Sequence, residues 1–414
     1  MLLCRNKPIF IIGKIMSLSP ETLAIIKATV PAVAEHAEAI TAHFYPLMFT
    51  EFPEVKAFFN QSHQQSGTQS KALAGAVVAY AANIENLGVL QSAVERIVNK
   101  HVSLDIQPAQ YEIVGSCLLK AIKAVLGDAA TDEVIAAWGE AYWQLANLLI
   151  AAEEEAYQAN AAKTGGWRGE RSFVVAAKVE ESEVITSFYL EPEDGGTVPA
   201  FIAGQYLGLV LNINGESTRR NYSLSDAPGT GYLRISVKRE EGGMVSNYLH
   251  NDVKVGDKLQ VLPPAGDFVL ADNNKPVILV TGGVGITPAI SMLNQGAASG
   301  RRIEFIHAAL NSQTHAFKKH VDDMSLAHEN VNACYVYSQA TDKCQAHHQG
   351  FITRDLLAKH IGENKDVEFY FLGPKPFMQA MNQHAHDLDI PAANIHFEFF
   401  GPLEELSLKE ETAA

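Results

Sequence analysis

The chain has 414 residues, 47% of them apolar and 19% charged, with a formal net charge of −15. That composition is ordinary for globular protein, and the acidic balance argues against nucleic acid or an anionic membrane as the main partner, since both need a basic footprint. At roughly 150 residues per domain the length predicts about three domains. Four widely spaced cysteines without a C-x-x-C pair fit a reducing cytoplasm better than a disulfide framework.

Residues 1–16 set Arg5 and Lys7 before the short apolar run Ile9-Phe10-Ile11-Ile12, which Lys14 follows almost at once. The run is too short for a signal-peptide core, so these residues are read as a disordered extension. No stretch reaches the length of apolar chain that a membrane span requires, so no stable insertion is expected. Residues 17–162 carry apolar positions at helical spacing (Leu23, Ile26, Ile40, Phe44 and Leu47; later Ile113, Leu118, Ile122 and Val125) and predict an all-α domain. Ser19 can cap its first helix, with Pro20 in the first position.

Within this domain Leu90, Val94, Ile97 and His101 recur at i, i+4, i+7 and i+11, so the imidazole lies on the apolar face of its helix. A histidine there is more often a satisfied core residue than a ligand. An inward histidine in a helical domain can also hold a haem iron. Tyr45 stands on an otherwise apolar face, Phe59 at a helix corner, and Gln69 and Leu73 share one face four residues apart. Tyr45 and Phe59 could equally be plain core, and Gln69 a solvated residue.

A polar, glycine-containing linker at residues 161–167 ends the helical texture. Over residues 168–272 the period shifts towards two. Phe173–Val179, Val184–Leu190, Tyr206–Leu211 and Leu233–Val237 read as short strands of an antiparallel barrel, interrupted by a helix at Val245–His250. Arg220-Asn221-Tyr222-Ser223 is read as lying between strands. Its guanidinium suits a phosphate, its phenol ring a flat heterocycle, and its hydroxyl a ring nitrogen.

Over residues 273–403 strands alternate with helices, which predicts a doubly wound parallel sheet with its ligand crevice beyond the carboxyl ends of the strands. The strands are Val277–Val280, Ile303–His307, Ala333–Tyr337, Glu368–Leu372 and Ile395–Phe399; the helices begin near Pro288, His315, Thr353 and Pro376. The first strand breaks into Thr281-Gly282-Gly283-Val284-Gly285-Ile286-Thr287-Pro288, a glycine turn that brings backbone N–H groups towards phosphate, with Thr287 as helix cap and Pro288 in the first turn. Residues 404–414 form a charged tail.

Arg220–Ser223, Val237–Ser246, the Gly282–Pro288 turn and Phe369-Tyr370-Phe371-Leu372-Gly373-Pro374 stand in the order that resembles the ferredoxin–NADP⁺ reductase family, over residues 168–403. The resemblance implies a barrel that binds FAD and a following domain that binds NAD(P)H. Arg220 would hold the diphosphate, Tyr222 and Tyr206 contact the flavin, and Ser223 bond near its N5, with Asn221 in the same element. Gly242, Gly243 and Ser246 would start the helix that receives the pyrophosphate, and Phe399-Phe400-Gly401-Pro402 would cover the other flavin face. Leu372 departs from the small or thiol residue that often precedes the Gly-Pro.

The helical residues in turn match the bacterial globin pattern, so the whole chain resembles the flavohaemoglobin family. This implies haem b with His101 as proximal ligand and the metal's only side-chain ligand. Tyr45, Gln69 and Leu73 would lie distal, Phe59 against the porphyrin, and Tyr111 and Glu153 around His101, while Lys100 and Glu398 would lie between haem and flavin. The implied activity is that of a nitric oxide dioxygenase, in which NAD(P)H reduces FAD, FAD reduces the haem iron, and O₂ and NO become nitrate. The expected setting is a cytoplasmic monomer with small-molecule partners. Three other readings stay open here: an oxygen-binding or sensing globin with an attached reductase, a hydroperoxide reductase, and a flavin reductase whose helical domain is an interaction module without haem.

Overall fold

The computed structural model describes residues 18–59 and 68–400. The expected extension, the tail, Gly401 and Pro402 lie outside the described residues, as does the side chain of Gln69.

The first domain comprises α1 (Pro20–Glu35), α2 (Ala37–Glu51), a 3-10 turn (Pro53–Phe58), α3 (Thr68–Ala82), α4 (Gln91–Val102), α5 (Pro108–Leu126) and α6 (Asp132–Ala161). Ser19 Oγ accepts from Thr22 N at 3.0 Å and Pro20 follows it, the predicted capped start. The apolar stripes converge on a core that includes Ile26, Phe44, Met48, Cys117, Ile122 and Trp138. A second cluster around Val98, Val102, Tyr111, Leu149 and Ala152 joins α4, α5 and α6.

The second domain contains β1 (Arg171–Glu180), β2 (Ile185–Pro192), β3 (Tyr206–Ile213), β4 (Glu216–Ser223), β5 (Leu233–Lys238), α7 (Met244–Asn251) and β6 (Lys258–Val261). The strands are ordered β4-β3-β6-β1-β2-β5 with antiparallel neighbours, and a bridge from Leu224 to Ile235 draws the two edges together into a barrel. The linker is shorter than its composition predicts. Trp167 packs on Phe173 in the barrel core and donates Nε1–H to Val261 O at 3.1 Å.

Arg220–Ser223 does not lie between strands, which corrects the sequence reading. It is the second half of β4, paired in register with Tyr206–Leu209. β4 shows no apolar alternation because its sequence, Glu216-Ser217-Thr218-Arg219-Arg220-Asn221-Tyr222-Ser223, is polar or polar-tipped on both faces. Its register comes instead from the Asn214-Gly215 turn, where both residues have positive φ (55° and 85°) between partners Ile213 and Glu216. Asn-Gly is the preferred two-residue hairpin turn, so the signal was present in the sequence.

The third domain runs through β7 (Val277–Gly282), α8 (Ile286–Ala297), β8 (Ile303–Ala309), α9 (Lys318–Ala327), β9 (Val331–Tyr337), β10 (His348–Gln349), α10 (Arg354–Ile361), β11 (Glu368–Leu372), α11 (Lys375–Asp387) and β12 (Ile395–Phe397). Its sheet is parallel, ordered β10-β9-β8-β7-β11-β12, so strand order reverses between β7 and β11. A crevice at such a switch point is where doubly wound sheets bind nucleotides.

Two predicted helix starts shift. Gly283–Gly285 form a 3-10 turn that feeds straight into α8 at Ile286, so Thr287 is not the cap; its hydroxyl donates back to Val284 O at 3.1 Å. α9 begins at Lys318 rather than near His315, because Phe317 takes a left-handed φ of 62° and breaks the helical path before it.

Beneath the sheet, His360 Nδ1 lies 2.8 Å from Glu304 Oε2, and Arg302 and Asn332 also bond that carboxylate. The Cys334 thiol and the Glu304 carboxylate together raise the imidazole from its ordinary 6.5 to about 9. A raised folded-state pKa means that this stabilisation is complete below pH 6.5 and is lost as pH climbs through about 9. Replacing His360 by glutamine should therefore flatten the alkaline limb of a plot of thermal midpoint against pH. Parallel curves for the two proteins would contradict that assignment.

Candidate functional site

α4 ends just after His101, where Leu104 N and Ile106 N both donate to His101 O and Asp105 turns the chain with a φ of 58°. His101 Nδ1 lies 2.9 Å from Tyr111 OH and 2.7 Å from Glu153 Oε1; Tyr111 OH also donates to Glu153 Oε1 at 2.5 Å. Glu153 is only 2% exposed, although its neighbours Glu154 and Glu155 face outwards. Burial, then the adjacent carboxylate, pushes the Tyr111 phenol far above its ordinary value, so it stays a donor. An Nδ1–H directed at a buried carboxylate fixes the tautomer that leaves a lone pair on Nε2 for a metal. Both recorded bonds of the ring fall on Nδ1, which fits a haem iron on the other nitrogen.

Tyr45, Phe59 and Leu73 share the larger helical cluster. Tyr45 is buried, with its ring edge-on to Phe59 at 5.8 Å and to Phe44 at 4.9 Å; Phe49 and Phe59 meet at 5.3 Å. Gln69 lies on α3 one turn before Leu73.

On the barrel, Tyr206 of β3 pairs with Ser223 of β4, and Leu207 with Tyr222. Ser223 Oγ and Asn221 Oδ1 are buried without a protein partner, the kind of orphaned polar atoms that a bound cofactor satisfies. Arg220 Nη1 donates to Thr218 Oγ1 and Arg219 O, both on its own strand, which leaves the rest of the fork for an anion. These residues fit a flavin and its diphosphate. At α7, Gly242 has a φ of 68° and Gly243 precedes the first turn. Ser246 Oγ is occupied in that turn, accepting from Glu240 N and donating to Gly243 O, so the free donors for a phosphate are backbone N–H groups. Lys178, absent from the sequence reading, anchors the far end of α7 through Leu249 O, His250 O and Val253 O.

Lys100 Nζ stands 6.0 Å over the Tyr206 ring. Surrounding protein lowers its pKa, with Glu398 acting in the opposite sense. Glu398 is pushed up to about 8 by burial, and Lys100 restrains the rise. Lys100 is nonetheless exposed, so its amine meets solvent as well as the Tyr206 ring. Phe399 packs edge-on against Phe397 at 5.9 Å, whereas Phe400 is half exposed.

The end of α4 that carries His101 rests directly on the flavin strands. Asn221 Nδ2 donates to Ser103 Oγ at 2.8 Å and Gly266 N to Asn99 Oδ1 at 3.4 Å. At Gly208 an added Cβ would fall 2.4 Å from Ser103 O, so only glycine admits this approach. None of Asn99, Ser103 or Gly208 carries a sequence signal for such a role.

The nucleotide turn is built from close backbone approaches. A Cβ on Gly282 would meet Phe377 and Pro374 at 3.2–3.3 Å, and one on Gly285 would lie 2.1 Å from Leu372 O. Gly283 has a φ of 55° and no such neighbour, while Ile286 and Thr287 are buried and Val284 packs against the core. The turn therefore offers main-chain N–H groups rather than side chains, which fits a pyrophosphate. Gly285→Ala should force this backbone apart. Overpacking of this kind costs about 1–3 kcal/mol, and NADH titration should show weaker binding with flavin absorbance retained. Unchanged stability and affinity would remove the close-approach argument.

A helical domain with a carboxylate-backed histidine, seated on a flavin-type barrel that leads into a dinucleotide fold, defines a reductase fused to a globin. Residues 42–149 match the globin family, residues 172–270 the oxidoreductase FAD-binding domain and residues 279–383 the oxidoreductase NAD-binding domain. A flavohemoprotein of Pseudomonas aeruginosa is 52% identical over 94% of this chain and 99% of its own length; one from a Burkholderia species is 51% identical over 94% and 100%. The crystal structure of a Malassezia yamatoensis flavohemoglobin with bound FAD and haem superposes with a TM-score of 0.82 at 27% identity, covering 93% of this chain and all of that one. The FAD/NAD-binding part of a Vibrio cholerae nitric oxide dioxygenase gives 0.53 at 36% identity over 57% of this chain and all of that one.

The chain belongs to the flavohaemoprotein family. It is an oxidoreductase that uses haem, FAD and a nicotinamide dinucleotide, and no helix among the described residues is long and apolar enough to cross a membrane.

Proposed function

We propose that the protein is a nitric oxide dioxygenase, consuming NO, O₂ and NAD(P)H and releasing nitrate. The observation that carries this reading is the His101–Glu153–Tyr111 cluster, held at 2.5–2.9 Å on the helix end that touches the flavin strands. A site for storing oxygen has no need of a reductase this closely docked, nor of an anionic partner on its ligand.

When bound, FAD supplies the conversion of a hydride into single electrons, and haem supplies the iron chemistry that joins O₂ to NO. Everything else falls to the chain. The Gly282–Gly285 turn seats the dinucleotide pyrophosphate, and Arg220 seats the flavin diphosphate. Tyr222 and Tyr206 fix the flavin plane, and Ser223 presents a hydroxyl to it. Glu153 holds the Nδ1 proton of His101 and makes the imidazole a stronger donor. Tyr45 would bring a phenol, and Leu73 an apolar wall, to the side opposite His101. Lys100 and Glu398 place an electrostatically coupled amine and carboxyl where the two halves meet. The acidic, cysteine-poor chain supports a cytoplasmic setting.

One observation favours a second reading. An anionic partner behind the proximal histidine also assists O–O cleavage, the requirement of a hydroperoxide reductase. An NO electrode separates the readings. Rapid NO loss that requires both O₂ and NADH, with matching nitrate, supports the dioxygenase. Holoprotein that consumes NADH with peroxide but leaves NO untouched sinks it.

A further inference from the structure

β4 carries adjacent arginines whose side chains leave opposite faces of the strand. Arg220 belongs to the flavin seat; Arg219 turns towards the helical domain. Its guanidinium lies 4.3 Å over the Phe58 ring, and its Nη2 is 3.7 Å from Glu170 Oε1 in the linker that joins the two domains. Arg219 also faces Asp105, the left-handed residue that ends the His101 turn; burial raises that carboxyl and Arg219 is its chief counterweight. The side chain is 12% exposed, and its Nε is buried without a protein partner, so stacking and charge hold it rather than a full set of hydrogen bonds.

The three contacts lie on three separate parts of the chain. Phe58 closes the 3-10 turn immediately before Phe59, the aromatic assigned to the porphyrin. Asp105 follows His101 by four residues, and Glu170 immediately precedes β1. On the same face of β4, two residues along, Asn221 bonds Ser103. One face of a single strand thus touches both the distal corner and the proximal turn, while the opposite face bears Arg220 and Tyr222.

We infer that Arg219 is a positioning residue, an interdomain clamp that sets the helical domain against β4 and so fixes the distance over which electrons pass from flavin to haem. The inference rests on the proposed haem and flavin seats but concerns a residue outside both. Arg219 stacks on Phe58, pairs with Glu170 and exerts its charge on Asp105, so the globin corner, the His101 turn and the linker are coupled to the flavin strand. Without the stack the two domains stay joined by the linker and by the Asn221–Ser103 and Gly266–Asn99 hydrogen bonds, but the Phe58 corner is no longer held against β4 and the spacing loosens there. Electron transfer through protein falls steeply with separation, whereas hydride transfer, which takes place within the reductase half, has no dependence on this contact.

The test uses full-length holoprotein mixed anaerobically with NADH, following flavin and haem absorbance separately. Arg219→Ala should leave flavin reduction unchanged and slow the following haem reduction by about 10- to 100-fold, the penalty expected for small misplacement of reacting groups. Arg219→Lys, which keeps the charge and loses the planar stack, should fall between wild type and Arg219→Ala. Phe58→Leu should slow haem reduction similarly, and the double variant should be little worse than either single one, as coupled partners are. Amide hydrogen exchange should rise at residues 53–58 and 103–106 in Arg219→Ala. Unchanged haem reduction with unchanged exchange overturns the clamp. So does a parallel loss of flavin reduction, which would make Arg219 part of the flavin seat. Wild-type protein that binds no haem would defeat the proposed function instead, and the exchange measurement would still decide for or against the clamp.

Discussion

His101→Ala is expected to abolish NO consumption and the haem absorbance band, while NADH-driven reduction of an artificial acceptor such as ferricyanide continues. Nδ1 is committed to Glu153 and Tyr111, so Nε2 is the ring atom left for iron, and alanine replaces it with nothing. The substitution also strips a donor from a carboxylate that is 2% exposed. Leaving a buried polar group under-satisfied costs about 1–3 kcal/mol, here softened because Tyr111 still donates to Glu153. A moderately lowered thermal midpoint with helical content intact is therefore predicted. Free imidazole added to the variant should enter the space left by the side chain and restore part of the haem band, because the carboxylate that orients it remains. Wild-type haem content in His101→Ala would place the iron ligand elsewhere and remove the proposed site.

How far the sequence could be read differed from element to element. The helices of the first domain and the buried strands β7, β8 and β11 advertise themselves because one face, or both, must be apolar to form the core. β4 gives no such signal: its side chains are polar, and only the Asn214-Gly215 turn betrays it. β6 is four residues long and packs two of them, too little for a period to show. His101 stands out from its helical spacing, yet Glu153 does not, since a glutamate among three glutamates reads as a solvated run. Its inward placement follows from the rotation of α6, which buries Leu149, Ala152 and Glu153 on one side. Resemblance to a family found that residue; local chemistry could not have done so. The contacts that dock the halves are less legible still. Asn221 and Ser103 are 118 residues apart, and a serine at a helix end has an ordinary local explanation. The displaced start of α8 has a physical cause of the same sort: glycines at 283 and 285 let the chain coil before Thr287 could cap it.

Glu153→Gln should lower NO consumption by about 10- to 100-fold, the usual cost of removing a partner behind a metal-binding histidine, with flavin reduction by NADH unchanged. Glutamine has nearly the same shape and can still accept from Tyr111 and His101, so the geometry survives and the negative charge alone is lost. A charge-assisted hydrogen bond is about twice as strong as a neutral one, so imidazole loses electron density and becomes a weaker donor to iron. The reduction potential of the haem should move positive, favouring the ferrous state while weakening the push towards oxygen chemistry. Tyr111→Phe offers the complementary case. It removes one donor and leaves the carboxylate charged, so it should cost less activity and shift the potential the opposite way, because the charge is now shared by fewer donors. If Glu153 is only scaffold, Glu153→Gln will lower the thermal midpoint without moving the potential, and the two variants will not diverge. Potentials that move in opposite directions are the signature of a carboxylate that acts through His101, and they separate an activating site from a passive oxygen carrier more sharply than any activity measurement on the wild-type protein.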